Sequence, residues 1–120
     1  MGYYSDVALC LTKNGMDQLK TALAEAERSN PVDFAAIKML IGGEPSKIDE
    51  STGAVVFLWK GEKWYEEFAE MAFVAKLMDS LPSEDFLFIR IGEDYDDIET
   101  RGSYQGNPQR VRIAREIAAD

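Results

Sequence analysis

Carboxylates carry most of the chemistry this chain could perform, and they gather in one run. Residues 88 to 99 read FIRIGEDYDDIE, and five of the seven positions from Glu93 to Glu99 are acidic: Glu93, Asp94, Asp96, Asp97 and Glu99, with Tyr95 among them. Such a run could hold a hard cation, serve as a catalytic acid–base pair, imitate a phosphate backbone, or form a solvated turn. Oxygen ligands suit calcium, but the calcium-loop spacing fails. Counted from Asp94, the position that loop gives to glycine is Glu99, and the position of its bidentate glutamate is Gln105. Magnesium sites usually carry phosphate, and the chain has neither a P-loop nor a GxGxxG motif. Glycoside hydrolysis needs two carboxyl groups held about 5 to 9 Å apart in a cleft. Neighbouring carboxylates on a turn are not held that way.

The chain contains no histidine. Histidine is the side chain whose ordinary pKa lies near neutrality and the commonest metal ligand. Ser-His-Asp and Cys-His catalysis and HExxH zinc sites are therefore excluded. The reading is a protein that is not an enzyme and needs no cofactor. The net charge is −9, with a sequence pI of about 4.5. Phosphate backbones are bound by clustered lysine and arginine, so direct nucleic-acid binding is not expected. A basic protein surface is the natural partner for such a charge.

A second cluster, FLWKGEKWYEEF, contributes Trp59, Trp64 and Tyr65. Tryptophan and tyrosine are enriched in binding hot spots. Equally, Trp59 and Trp64 flank a turn where a core would close, and they could anchor a helix to a sheet. We favour anchoring, and keep Trp64 and Tyr65 beside Glu93, Asp94, Tyr95, Asp96, Asp97 and Glu99 as the candidate binding surface. Charge is also unevenly spread. From Glu84 to Glu99 the net is −6, with Arg90 the lone cation, and from Arg101 onward it is +2, so Arg101, Arg110 and Arg112 could face the acidic turn.

The surrounding pattern predicts the elements that would hold these residues. Val7, Leu9 and Leu11 alternate with Ala8 and Cys10, which reads as a strand within Tyr3 to Thr12, with Cys10 a packed, inert thiol. Asn14 then looks like a helix cap, followed by Met16, Leu19, Leu23 and Ala26 at helical spacing. Residues 31 to 41 start on Pro31 and stop at Gly42–Gly43, which predicts a short helix, with a strand as the alternative. A polar strand from Ser46 to Glu50, an STG turn and an apolar strand from Ala54 to Trp59 form a hairpin, the second strand covered on both faces. A buried helix follows over YEEFAEMAFVAKLMDSL, its first turn carrying Glu66 and Glu67, with the methionines mostly filling core. DFLFIRIG is a strand, ETRGSYQGNPQ is turn-rich, and RVRIAREIAAD reads as a last strand or short helix. The expected fold is a single α+β domain over residues 1–120, a mixed or antiparallel sheet of about four to six strands with two or three helices mainly on one face. No apolar run approaches the roughly 20 residues of a membrane span. The start lacks a secretory pattern, and a lone cysteine suits a reducing compartment, so a cytoplasmic setting is expected.

Three segments, MGYYSDVALCL, VVFLWKGEKWYEEFAEM and FLFIRIGEDYDDIETRG, resemble the small accessory proteins of tailed bacteriophages and prophages. Residues 30 to 47 depart from that pattern. The resemblance implies a setting, a bacterial host cytoplasm, and supplies no established catalytic residues to carry over. The expected function is a non-enzymatic protein that binds a host or phage protein, in its sharper form an inhibitor of the anti-defence or nucleic-acid-mimic type. Two alternatives stand beside it: a divalent-metal module or small metal-assisted enzyme using Glu93 to Glu99, and an assembly protein that works by oligomerising.

Overall fold

The computed structural model describes residues 2–103. They form a five-stranded sheet in the order β2-β3-β1-β4-β5, every neighbouring pair antiparallel, with three helices. The strands are β1 (Ser5–Leu11), β2 (Lys47–Asp49), β3 (Ala54–Glu62), β4 (Phe86–Ile91) and β5 (Ile98–Gly102). The helices are α1 (Lys13–Ser29), α2 (Pro31–Ile41) and α3 (Ala69–Ser80), and a short 3-10 turn spans Ser83–Asp85. This is the expected α+β class.

The alternation in β1 decides which face is core. Val7, Leu9 and Leu11 sit beside Trp59, Phe57 and Val55 of β3, and Leu9 and Leu11 beside Phe88 and Phe86 of β4. All of these but Trp59, which is partly buried and packs against them, join Leu19 and Ala26 of α1, Ile37 and Ile41 of α2, and Val74, Leu77 and Met78 of α3 in one buried cluster. The other strand positions occupy the opposite face in rows that cross the sheet. Gly102, Leu87, Cys10, Val56 and Lys47 form one row, and Thr100, Ile89, Ala8 and Leu58 the next.

Several boundaries differ from expectation. α1 is capped by Thr12 rather than Asn14. The Thr12 Oγ1 accepts from the Gly15 N–H at 3.1 Å and donates to Asp85 Oδ1 at 2.8 Å, while the Asn14 amide donates to Asp85 Oδ2 at 2.8 Å. One carboxylate thus ties the start of α1 to the 3-10 turn ahead of β4. α2 is a helix, as its Pro31 start predicts. Its Met39 is 89% exposed, so this methionine is not core, whereas Met71 and Met78 are buried. β2 is shorter than expected and β3 longer, running to Glu62. β3 lies next to the edge, and its Leu58 is 43% exposed, so it is not covered along both faces. The turn before it ends on Gly53, whose φ of 77° lies where side chains other than glycine's are strained. α3 begins at Ala69, after Glu66 and Glu67, which sit in turns instead of its first turn. Residues 98 to 102, read from sequence as turn, are the edge strand β5. The predicted element over RVRIAREIAAD lies outside the described residues. No helix among the described residues is long and apolar enough to cross a membrane.

Candidate functional site

The acidic turn is built by a strand residue, Arg90. Register places Arg90 opposite Glu99 across the β4–β5 hairpin. Its Nε donates to Glu99 Oε1 at 3.0 Å, its Nη2 to Asp97 Oδ1 at 2.8 Å, and its Nη1 to Asp97 Oδ2 at 3.2 Å and to Ser5 Oγ at 3.1 Å. The guanidinium fork therefore grips Asp97 with two nitrogens, the geometry arginine favours for carboxylates. Its side chain is only 17% exposed. Asp97 and Glu99 hold Arg90 above its ordinary pKa, against the opposing effect of burial. Arg90 in turn pulls the Asp97 carboxyl below the usual range, with Tyr3 helping.

Tyr3 is the second organiser. Its hydroxyl donates to Asp97 Oδ2 at 2.6 Å and accepts the Asp94 N–H at 3.1 Å, and its own N–H donates to the Tyr65 hydroxyl at 2.6 Å. The Asp94 N–H draws the Tyr3 pKa down, but the Asp97 carboxylate on its proton and the surrounding acid carry it above the ordinary value. Next to it the Tyr4 N–H donates to Glu93 Oε2 at 2.6 Å, and Lys63 lies over the Tyr4 ring at 5.8 Å. The turn closes on itself when the Gly92 N–H reaches the Asp97 carbonyl at 2.8 Å. Gly92 is required by space: a Cβ there would collide with the Tyr3 hydroxyl and the Asp97 carboxylate.

The candidate residues thus separate. Asp97, Glu99 and Glu93 are used to hold the turn. Asp94, Asp96 and Tyr95 are exposed, with Tyr95 at 78%. No described cation forms an ion pair with Asp94 or Asp96. Tyr65 is joined to the same end through Tyr3 and packs edge-on against Phe68 at 5.5 Å. Exposed Glu66 and Glu67 follow it. Trp64 is not on this surface in the same sense. Its ring lies 5.1 Å from Trp59 and 6.0 Å from Phe88, against the core. Trp59 donates its indole N–H to the Leu40 carbonyl at 3.0 Å, so it anchors α2 to the sheet. Arg101, expected to face the turn, pairs with Asp79 of α3 instead, and Arg110 and Arg112 lie outside the described residues.

Among the described residues no group of three or more histidine, cysteine, aspartate or glutamate side chains is placed to hold a metal ion. Cys10 is buried on the helix-free face, and burial pushes its thiol up to about 11. Sequence reasoning missed a groove of about 700 Å³ between α1, α2 and α3, lined by Ala22, Ala26, Ala72, Phe73 and Leu77. Its signal was the small residues on facing helices, which leave space where larger side chains would close it. Its rim carries Glu25, Asp33 and Lys76. Compared with protein-family models, curated proteins and solved structures, the chain matches none.

Proposed function

We propose that this protein acts without catalysis, by offering its tyrosine-linked acidic end to a basic surface on a protein partner. The observation that carries the reading is the division of labour among the carboxylates. Arg90 and Tyr3 fix the turn, and the exposed Asp94 and Asp96 then project from a held backbone, paired with no cation among the described residues. Tyr95 and the edge formed by Tyr65 and Phe68 add aromatic area of the kind that anchors interfaces. A preorganised acidic surface speeds encounter with a positive one and loses little conformational entropy on binding. The resemblance to phage accessory proteins supplies a setting, the cytoplasm of a bacterial host. Within it the partner class is a host or phage protein whose basic face serves nucleic acid, and the mode is inhibition by occupying that face.

The test is calorimetric titration with basic, DNA-binding proteins of bacterial defence complexes, at two salt concentrations and with duplex DNA as competitor. Affinity should fall steeply with salt, and DNA should compete. The double variant Asp94→Asn/Asp96→Asn should bind much more weakly than Glu27→Gln/Asp33→Asn, which removes the same charge from α1 and α2. Equal weakening by both pairs would reduce the effect to net charge and overturn the site.

A further inference from the structure

α1 and α3 do not close the space between them. Asp85, just beyond α3, holds Thr12 and Asn14 at the start of α1, so the two helices run in opposite directions. Between them and α2 lies the groove of about 700 Å³, within the range of roughly 300–1,000 Å³ found for small-molecule sites. Its long walls run from Gln18 to Ser29 on α1 and from Ala69 to Ser80 on α3, each about 17 Å of helix. The floor is apolar. Ala26, Ile37 and Leu77 belong to the core cluster, and Ala22 and Phe73 pack against it.

Most polar groups around this floor are already engaged. The Thr21 hydroxyl donates to the Asp17 carbonyl at 3.2 Å, Ser29 to the Glu25 carbonyl at 2.7 Å and Ser80 to the Leu77 carbonyl at 2.7 Å, each back onto its own helix. Glu25 pairs with Arg28, and Asp33, in the first turn of α2, accepts the Asn30 amide at 3.1 Å. Two lining side chains remain, Lys76 and Gln18, and neither forms a hydrogen bond or ion pair with a described residue. Because α1 and α3 are antiparallel, both lie toward the end where α1 starts and α3 finishes. A lysine ammonium offers donors only, and the glutamine amide adds two more. An apolar trough with unused donors at one end is complementary to a hydrocarbon chain that ends in an anionic acceptor. The net charge of −9 opposes any anion, so the floor supplies most of the affinity and Lys76 selects the head.

We propose that the helix groove binds a single-chain anionic amphiphile, a medium-chain carboxylate, with its hydrocarbon along Ala22, Ala26, Ile37, Phe73 and Leu77 and its carboxylate on Lys76 and Gln18. The site shares no residue with the acidic end, so either reading can fail alone.

Decanoate is the probe, titrated calorimetrically below its micelle concentration into the full-length protein. Decanol and decylammonium serve as chains of equal length with other heads. Decanoate should saturate one site and bind more tightly than either. Octanoate should bind about tenfold more weakly, because two fewer methylenes leave water. Lys76→Gln should weaken decanoate about threefold, the scale of an exposed ion pair, and leave decanol unchanged. Ala72→Phe, which puts a ring into the groove from an exposed position, should abolish binding in a protein that still melts cooperatively. The absence of saturable decanoate binding overturns the proposal, as does decanol or decylammonium binding as tightly as decanoate. Methyl-resolved NMR of the unaltered protein locates the chain without relying on any variant. Shifts at Ala22, Ala26, Ile37 and Leu77 support the groove. Shifts confined to Leu58, Ile89 and Ile98 of the sheet, or to Val32 and Met39 of α2, overturn it.

Discussion

Replacing Arg90 by methionine tests the construction of the acidic turn. Methionine keeps much of the aliphatic stem and removes the fork. Four hydrogen bonds are lost, two of them to Asp97, one to Glu99 and one to the buried Ser5 hydroxyl. A hydrogen bond to a charged group contributes about 1.5–3 kcal/mol where water is excluded. Glu99 is 40% exposed, so that part of the network is worth less. After this discount Arg90→Met should cost about 2 kcal/mol, a drop of roughly 8 °C in melting temperature for a domain of this size. Urea denaturation at pH 7 measures it. The effect also has a pH signature. Asp97 has a lowered pKa in the fold, so its stabilisation is present above its unfolded pKa and disappears as pH falls through the folded value. The gap between wild type and Arg90→Met should therefore narrow on acidification below the ordinary aspartate range, about pH 4. Asp97→Asn should cost little once Arg90 is absent. A loss below about 0.5 kcal/mol, the range of ordinary surface substitutions, or a gap that stays constant into acid, would refute the keystone role.

Two further outcomes are expected. Gly92→Ala places a methyl against the Tyr3 hydroxyl and the Asp97 carboxylate, and should destabilise by about 1–3 kcal/mol as an overpacked site, read by thermal melting; a neutral result would mean the turn is looser than its hydrogen bonds imply. Thr12→Ala removes both the α1 cap and the hydroxyl bound to Asp85, and should cost about 1 kcal/mol, whereas Asn14→Ala should cost less; the reverse ranking in denaturant melts would restore Asn14 as the cap.

The strands and helices that were legible in the sequence are those whose burial follows a strict period. β1 and β4 alternate because one face packs on helices, and α1 places Leu19 and Ala26 on one side. β5 was illegible because it is an edge strand whose Glu99, Thr100 and Arg101 carry no apolar alternation; only pairing with β4 makes it a strand. The sequence pattern places the start of α3 too early because Tyr65 and Phe68 continue its spacing. In the fold Trp64 packs on Trp59 and Phe88, and residues 63 to 68 turn locally through the Tyr65 N–H to the Lys63 carbonyl and the Phe68 N–H to the Tyr65 carbonyl. Thr12 and Asn14 are both competent caps. Thr12 wins because strand and helix abut without a linker and Asp85, far away in sequence, holds its hydroxyl. The acidic run was visible as composition, but its internal roles were not. They depend on Tyr3 arriving from the other end of the chain and on the register that sets Arg90 opposite Glu99.

That register gives the binding proposal a test whose sign separates two physical causes. Arg90 is a cation at an end proposed to receive a basic partner. If affinity came from net charge alone, Arg90→Met would make the end more negative and should tighten binding. If affinity comes from a turn held ready, the same change releases Asp97 and the Tyr3 contact, lets Asp94 and Asp96 wander, and makes binding pay the entropy of ordering them. The proposal requires the second outcome. Calorimetry on a partner that binds the wild type should show weaker binding for Arg90→Met despite the extra negative charge, with the loss chiefly entropic. Tighter binding would show that the carboxylates act as a diffuse charge, and that the structure of the turn serves the fold and not the partner.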